Sequence, residues 1–266
     1  MTLKVRLSHN PTLRRTAVGI AMVAACASAS AALPQFTFDP GASALSGASF
    51  TGDNLLISDY STVKQDGVGG FTDTGYLSIS AIQLAGSTFT PTGLNSTYGM
   101  YIKFDGKGTT TPGLPVSVTT VGSFTELTYT LFGYNGPATF GFSGNTPTES
   151  ASGEVTLATG TLVSGNAVTI PTGDGLTFTP SATAKLNFVV TPGQEKFFAS
   201  PNPFYNLAFA AFTNTTTQVE AFDGGFRIRQ GGGALNFASA VPEPESYALM
   251  LAGLAAVGFV SRRLRT

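Results

Sequence analysis

Apolar and polar residues alternate along much of the middle of the chain. Side chains two positions apart lie on the same face of a β-strand, so this alternation predicts strands with one buried face. The apolar sets that share such a face are Leu77/Ile79/Ala81, Tyr98/Met100/Ile102/Phe104, Leu127/Tyr129/Leu131, Ala182/Ala184/Leu186/Phe188/Val190, Tyr205/Leu207/Phe209/Ala211 and Phe226/Ile228. No stretch between the two ends repeats with the 3.6-residue period of a helix. We therefore expect strands throughout the body and helix only near the termini.

Asp-Gly and Asn-Gly pairs separate or end these alternating runs. Their residues adopt the positive φ that a tight hairpin turn requires. The pairs are Asp66-Gly67, Asp105-Gly106, Asn135-Gly136, Asp174-Gly175 and Asp223-Gly224. Gly231-Gly232-Gly233 lies between two strand-like runs and predicts a bulge or a loop. About ten to twelve short strands with turns between them predict an all-β body, folded as an antiparallel β-sandwich or jelly-roll.

Residues 1–32 have the three parts of a secretory signal peptide. Basic residues without any acid come first, an apolar stretch at residues 17–27 follows, and small residues at 28–32 end the segment. We expect a signal-peptide helix that is cleaved between Ala29 and Ala32, with Ala31 in the cleavage region. This arrangement predicts export across an inner membrane by the Sec machinery and removal of the segment by signal peptidase.

Two other interpretations of this segment stay open. Val23-Ala24-Ala25-Cys26 resembles a lipobox, which would place a lipid on Cys26 after cleavage and hold the N-terminus in a membrane. A buried core helix is the second interpretation, although the apolar stretch is too short to span a bilayer and Pro34 prevents the helix from continuing. His9 leaves with the signal peptide in either form of export.

The C-terminal segment, residues 241–266, also has three parts. Val241, Pro242, Glu243 and Pro244 come first, and an uncharged apolar stretch at residues 247–260 follows. Arg262, Arg263 and Arg265 then form a terminal basic cluster. A helix of fourteen residues is about 21 Å long, shorter than the roughly 30 Å hydrocarbon core, but terminal arginines extend toward the headgroups. These features predict a short transmembrane helix whose arginines stay in the cytoplasm; a C-terminal core helix is the alternative.

These three parts, in this order and spacing, resemble the PEP-CTERM sorting signal of Gram-negative bacteria. The resemblance implies that an exosortase cuts at the motif Val241, Pro242, Glu243 and Pro244, and that Arg262, Arg263 and Arg265 act as stop-transfer charges. It also implies transient anchoring in the inner membrane and a final location in the cell envelope or extracellular matrix. The expected organisation is a signal peptide at 1–32, a body at 33–240 and a sorting signal at 241–266.

Composition restricts the chemistry of the body. The chain has 14 basic and 15 acidic residues, one His, one Cys and no Trp, so disulfide scaffolds and Cys/His zinc sites are excluded. The body itself carries seven basic and thirteen acidic side chains, a net charge of −6. No basic cluster is available for a phosphate backbone, so we expect no nucleic-acid partner. We expect no cofactor and no metal, because hairpin turns explain the Asp-Gly pairs more simply than calcium does.

Catalysis remains possible only through paired carboxylates, because no nucleophilic triad can form without an imidazole or another base. A glycoside hydrolase needs two acids about 5 to 9.5 Å apart. The candidates are Glu126, Glu149, Glu154, Glu195 and Glu220. Five tyrosines could stack on polysaccharide, although strand spacing favours core or cross-strand packing for them. They are Tyr60, Tyr98, Tyr101, Tyr134 and Tyr205. We expect a protein that is not an enzyme.

Three segments of the body resemble the flocculation-associated PEP-CTERM proteins of activated-sludge bacteria. They lie at residues 53–60, 93–99 and 224–228. The resemblance implies a non-enzymatic matrix protein that promotes flocculation or biofilm aggregation together with exopolysaccharide. A carbohydrate-binding module of the cell envelope is the alternative, and a two-carboxylate glycoside hydrolase is a third.

Overall fold

The computed structural model describes residues 32–111, 118–172 and 177–239. The described residues form sixteen strands and two short 3-10 helices, Pro40–Ser43 and Thr216–Gln218. The strands are β1 (Phe36–Phe38), β2 (Phe50–Gly52), β3 (Asn54–Gln65), β4 (Gly70–Leu84), β5 (Ser87–Phe89), β6 (Tyr98–Thr111), β7 (Thr120–Asn135), β8 (Phe140–Ser143), β9 (Thr146–Glu149), β10 (Val155–Pro171), β11 (Phe178–Asn187), β12 (Val189–Val190), β13 (Phe198–Ser200), β14 (Leu207–Thr213), β15 (Val219–Phe222) and β16 (Gly225–Ala238).

Eight strands close into an antiparallel barrel. Strands β3, β4, β6, β7, β10, β11, β14 and β16 each pair with the next one in this order, and β16 pairs back onto β3. The predicted all-β class is confirmed, but the predicted sandwich or jelly-roll is wrong. A sandwich has two separate sheets with edges, whereas the pairing of β16 with β3 leaves the main sheet without open edges. Alternation of apolar residues is the same in both architectures and does not distinguish them.

The barrel interior holds most of the predicted apolar faces. Met100 and Leu131 lie almost fully buried inside, on β6 and β7. Strand β14 contradicts its predicted face, because Ala208 and Ala210 point inward while Leu207 and Phe209 lie on the outer side, half-buried. Register explains the reversal: Ala208 lies opposite the fully buried Phe237 of β16, where a small side chain leaves room for the ring.

A small sheet of β13, β1 and β2 closes one end of the barrel, which we call the plugged end. Phenylalanine rings fill the space between this sheet and the barrel strands. Phe38 is fully buried and its ring centroid lies 5.0 Å from that of Phe197 and 6.0 Å from that of Phe237. Such ring contacts add to the burial of apolar surface. Strand β16 ends here, since Ala238 pairs with Leu207 at the start of β14.

Two predicted glycine hairpin turns are confirmed: Gly67 lies between the paired strands β3 and β4, and Gly224 lies between the paired strands β15 and β16, both with positive φ. Gly136 also has positive φ, but it connects β7 to β8, which pairs with β9 instead, so the hairpin predicted there is wrong. The Asp174-Gly175 pair lies outside the described residues.

The turn predicted at Asp105-Gly106 is wrong, because both residues lie inside β6. Gly106 faces a crowded interior, where an added Cβ would be 3.3 Å from the ring of Phe124. The triple glycine at 231–233 also lies within a strand, and a register shift between Arg229 and Gly231 confirms the predicted bulge there.

The described residues contain no helix that is long and apolar enough to cross a membrane. The two helices that we predicted for the ends of the chain lie outside the described residues.

Candidate functional site

A cavity of about 90 Å³ lies inside the barrel, toward the end opposite the plugged end. Its wall is mostly apolar and includes Phe71, Phe104, Phe124, Leu127 and Ile228. Its lining includes Gln65 at the end of β3, Thr110 near the end of β6 and Phe226 near the start of β16, which lie at this end of the barrel. We call this end of the barrel the cavity end.

Strand β3 brings polar side chains into this interior. Asp59, Ser61 and Gln65 lie on the inward face of β3, at every second position with Val63 between them. On the neighbouring strand Asp73 pairs with Val63, so its carboxyl reaches the same region. Asp59 is 4% exposed and Ser61 is fully buried. Two carboxyl groups and a hydroxyl therefore lie together inside an apolar barrel.

Glycine on β4 makes room for this polar group. Gly75 pairs with Ser61, and a Cβ added to Gly75 would lie 2.6 Å from the Cβ of Ser61. Real Cβ atoms do not approach that closely. A glycine at this position lets the Ser61 hydroxyl occupy the space between β3 and β4.

Asn214 adds an amide to the same wall. It follows the last residue of β14, and both its backbone N–H and its Nδ2 donate to the carbonyl oxygen of Pro180, at 3.1 Å and 3.3 Å. Its Oδ1 lies against Gly231, which pairs with Asp59, and a Cβ added to Gly231 would overlap that oxygen. The bulge in β16 and the missing side chain at Gly231 therefore admit Asn214 beside Asp59.

Five buried oxygens of this region have no hydrogen-bond partner within the described residues. They are Oδ1 of Asp59, Oγ of Ser61, Oε1 of Gln65, Oδ1 of Asp73 and Oδ1 of Asn214. Buried polar atoms are almost always hydrogen-bonded to protein or ordered water. Four of the five are carboxyl or amide oxygens, the fifth belongs to the Ser61 hydroxyl, and the described cavity wall contains no Lys, Arg or His. The cluster thus offers several acceptors and no cationic donor.

The two carboxyl groups hold protons more tightly than usual. Burial raises the pKa of Asp59 from 3.8 to about 7, and the Ser61 hydroxyl partly opposes this shift. Burial also raises the pKa of Asp73 well above 3.8, the nearby Asp59 carboxylate raises it further, and Ser61 again opposes the change. Near neutral pH the pair therefore retains at least one proton.

Two predicted glutamates meet on the outside of the barrel. The Tyr101 hydroxyl donates to Glu154, and the charge of Glu149 also acts on it. Burial raises the pKa of Tyr101 first, and its hydrogen bond to Glu154 and the nearby carboxylates add to the shift. The ring lies 5.5 Å from that of Phe140, on the hairpin of β8 and β9. Neither glutamate lines the barrel cavity.

The other three glutamates are separate from this pair. Glu126 pairs with Lys107 at 3.1 Å on the surface, and Glu195 accepts the backbone N–H of Gly193 at 3.1 Å. Glu220 accepts from Arg227 and from Arg229, with the Arg229 Nε at 2.9 Å. These are surface contacts rather than the two sides of a cleft.

The five tyrosines pack within the protein, in agreement with the prediction that their spacing serves packing. Tyr98, Tyr101 and Tyr134 are at most 2% exposed. The Tyr60 ring lies 5.8 Å from Phe140, and the Tyr205 hydroxyl donates to the carbonyl oxygen of Gln35 at 2.8 Å.

A second concave region is an open polar groove of about 620 Å³ on the outer side of the barrel. Strands β3, β4 and β16 and the 3-10 helix at Thr216–Gln218 form it. Its polar contributors include Ser58, Ser80, Gln218 and Arg229. The glycines at 231–233 expose backbone there, so hydroxyl, amide and peptide groups line the groove together.

The described part of the chain contains no group of three or more His, Cys, Asp or Glu that could hold a metal ion. The predicted sorting motif, the stop-transfer arginines, Ala29 and Ala31 lie outside the described residues. Ala32 is described and exposed.

Sequence reasoning missed Asp59, Asp73 and Asn214. A signal was present for Asp73, because it has the inward parity of Phe71 and Leu77 on one strand. No such signal marks Asn214, because it lies beyond the end of β14 and reaches the cavity beside the bulge of β16.

Residues 240–265 match the family model described as the PEP-CTERM protein-sorting motif. Comparison with curated proteins gives no significant match, and comparison with solved structures gives none either. The chain thus carries the sorting motif typical of exosortase substrates, and this implies export to the envelope or the extracellular space. The match covers about the last tenth of the chain, so the predicted likeness of the body to flocculation-associated proteins stays a prediction.

Proposed function

We propose that this chain is a non-enzymatic protein of the cell envelope or extracellular matrix that promotes cell aggregation together with exopolysaccharide. An exosortase delivers it by processing the segment at Val241, Pro242, Glu243 and Pro244. The observation that carries the proposal is the sorting-motif match at residues 240–265.

The position of the motif supports processing without damage to the fold. All eight barrel strands precede it, and the last of them, β16, ends at Ala238. Cleavage at Pro242 or later would leave every strand pair of the barrel intact. The body can therefore be released as a complete folded unit.

The cavity end of the barrel supports an adhesive role. Four large apolar side chains there are exposed: Val68 at 90%, Val118 at 46%, Val121 at 58% and Ile170 at 50%. Exposed apolar side chains that lie close together favour association with other surfaces. The small net charge of the body adds little repulsion between copies.

The processing step is tested by sequencing the C-terminus of the mature protein from its host. A C-terminus near Val241 supports exosortase cleavage, and a protein that still ends at Thr266 contradicts it. Glu243→Ala should block processing, because it changes the motif itself. Glu245→Ala is the matched control, since it removes the next acid and leaves Val241, Pro242, Glu243 and Pro244 unchanged.

The aggregation role is tested in a strain that lacks the gene. We expect flocs to disperse while polysaccharide production continues. Settling that equals that of the parent strain would contradict the proposal. Complementation with the Glu243→Ala gene separates the two steps, because it supplies the body without its processing.

Carbohydrate binding is the second candidate, and the polar groove favours it. Hydroxyl, amide and guanidinium groups around about 620 Å³ suit the hydroxyls of a sugar. Calorimetric titration of the mature protein with the host exopolysaccharide should then show saturable binding. Ser80→Arg should weaken it by filling the groove, whereas Thr128→Arg, on the exposed face of β7, should not. Nonsaturable attachment would favour the adhesive role alone.

A further inference from the structure

We propose that the barrel cavity binds a small organic cation, with a protonated primary amine at the oxygens of Asp59, Asp73 and Asn214 and a short alkyl group against the apolar wall. Nothing in the sorting motif or in the proposed matrix role requires such a ligand. The cavity, its unpartnered oxygens and its lack of basic groups carry the proposal together.

The polar side of the cavity favours a ligand that donates hydrogen bonds. Asn214 lines the cavity and is 3% exposed, and its Oδ1 has no hydrogen-bond partner among the described residues. Asp59 also lines the cavity, is 4% exposed and has an Oδ1 without such a partner. A primary ammonium supplies three N–H donors in one group. Its positive charge also compensates the carboxylates, which no Lys, Arg or His of the cavity wall does.

The remaining wall is selective for an apolar body. Phe71, Phe104, Phe124, Leu127 and Ile228 line the same cavity as the oxygens. A hard metal ion requires about six to eight oxygen ligands, and a wall of aromatic and aliphatic side chains cannot supply them. A pocket that is apolar with a few polar groups at one side is the usual form of a small-molecule site.

The volume limits the size of the ligand. A cavity of about 150 Å³ holds the six carbons of benzene, so the 90 Å³ here corresponds to about four heavy atoms. n-Propylammonium has four heavy atoms and is the probe of choice. A ligand of this size binds at best with a Kd of about 0.04 mM, since the ceiling is about 1.5 kcal/mol per heavy atom.

Binding should depend on pH because the acids must ionise to attract the amine. The titratable groups of the cavity wall are Asp59, Asp73 and Tyr129, and the Tyr129 hydroxyl donates to the Asn187 carbonyl oxygen at 2.8 Å. Affinity for n-propylammonium should therefore rise from pH 5 to pH 8. Proton release on binding, measured by calorimetry in buffers of different ionisation enthalpy, should accompany it.

The test titrates the mature protein with n-propylammonium chloride, 1-propanol and calcium chloride, followed by calorimetry and by NMR shifts of the aliphatic methyl groups of the cavity. We expect saturable binding of n-propylammonium with shifts at Leu127 and Ile228, and at least tenfold weaker binding of 1-propanol and calcium. Equal binding of 1-propanol would contradict cation recognition. Binding of calcium alone, or of none of the three, would overturn the proposal.

Variants distinguish binding in the cavity from binding at the protein surface. The double variant Asp59→Asn, Asp73→Asn keeps the side-chain shapes and removes both ionisable groups, so it should fold and bind n-propylammonium at least tenfold more weakly. Asp105→Asn, on the exposed face of β6, is the control and should bind as the parent does. Unchanged affinity in the double variant would contradict the assignment. If that variant misfolds, Asn214→Leu, which keeps both carboxyl groups and removes the Oδ1 acceptor together with the Nδ2 bond to Pro180, must weaken binding in its place.

Discussion

At the scale of single residues, the unusual feature is a pair of carboxyl groups inside an apolar barrel without a counter-charge. Burial favours the neutral form of an acid, and a proton on the carboxyl removes most of the cost of placing it there. Asp59 and Asp73 therefore make the free energy of unfolding depend on pH.

Asp59→Asn should remove part of the pH dependence of stability. Between pH 3.8 and about 7 the folded protein keeps a proton on Asp59 that the unfolded chain has lost. The free energy of unfolding of the parent therefore falls over this range, by up to about 4 kcal/mol at about 1.4 kcal/mol per pKa unit, and is constant above it. Urea unfolding of the parent and of the variant at pH 4, 5.5, 7 and 8 measures the difference.

The control for this experiment is Asp105→Asn. Its stability should follow the parent at every pH, because Asp105 is exposed on the outer face of β6. An Asp59→Asn protein whose curve is parallel to that of the parent would show that the Asp59 carboxyl ionises normally in the fold.

Gly231→Ala should destabilise the protein. The added Cβ would overlap Oδ1 of Asn214 and lie 2.6 Å from Cγ2 of Ile228, so the wall of the cavity must move. Overpacking of this kind costs about 1 to 3 kcal/mol. Gly232→Ala is the matched control, since its Cβ would meet only the Thr213 carbonyl oxygen, at 3.5 Å. Equal midpoints in guanidinium unfolding would contradict the packing around Asn214.

At the scale of the strands, alternation predicts which residues are buried when the side chains on the two faces of a strand differ in size and polarity. Phe226 and Ile228 alternate with Arg227 and Arg229, and the structure confirms that the two apolar residues are buried. Strand β14 lacks this contrast, because apolar residues occupy both of its faces. The larger set was predicted to be inside, but the small side chain of Ala208 lies inside, opposite the fully buried Phe237.

The reversed face of β14 can be tested by a pair of serine substitutions. Ala208 is fully buried and Ala211 is exposed on the same strand. Ala208→Ser buries a hydroxyl without a partner and should cost about 1 to 3 kcal/mol. Ala211→Ser should stay within about 0.5 kcal/mol of the parent, as surface substitutions do. If Ala211→Ser lowers the thermal unfolding midpoint more than Ala208→Ser does, the face predicted from the sequence is the buried one.

The prediction of turns from the local sequence has the same limit. Asp66-Gly67 and Asp105-Gly106 are the same dipeptide, yet one makes a hairpin and the other continues a strand. Gly106 packs closely against Phe124, where an added Cβ would be 3.3 Å from the ring, and the register with β4 and β7 extends through it. A dipeptide shows that φ can be positive, whereas only neighbouring strands determine whether it is.

At the scale of the whole molecule, the sequence predicted strands and missed their closure. Alternation fixes which residues of a strand face inward, but the β3 and β16 segments are separated by most of the body. Their pairing depends on the summed twist and stagger of all eight strands, which no local pattern records. The cavity forms only when the barrel closes. The sequence analysis therefore predicted neither the barrel nor the candidate site.

Hydrogen exchange distinguishes a barrel from a sandwich. In the barrel, β3 pairs with β4 on one side and with β16 on the other, so its amides should exchange as slowly as those of the central strand β6. Among the strands of the described residues, β15 pairs with β16 alone and should exchange faster. Fast exchange along one side of β3, comparable to that of β15, would show an open edge and contradict the closed sheet.

The direction of the strands has a consequence for display at a cell surface. Strand β16 runs from the cavity end to the plugged end, and the chain continues from there toward the sorting segment. An anchor in that segment would therefore hold the molecule by its phenylalanine-filled base. The opposite rim, with its exposed valines and the pocket beneath them, would then face the surroundings, where neighbouring cells and dissolved amines would meet it first.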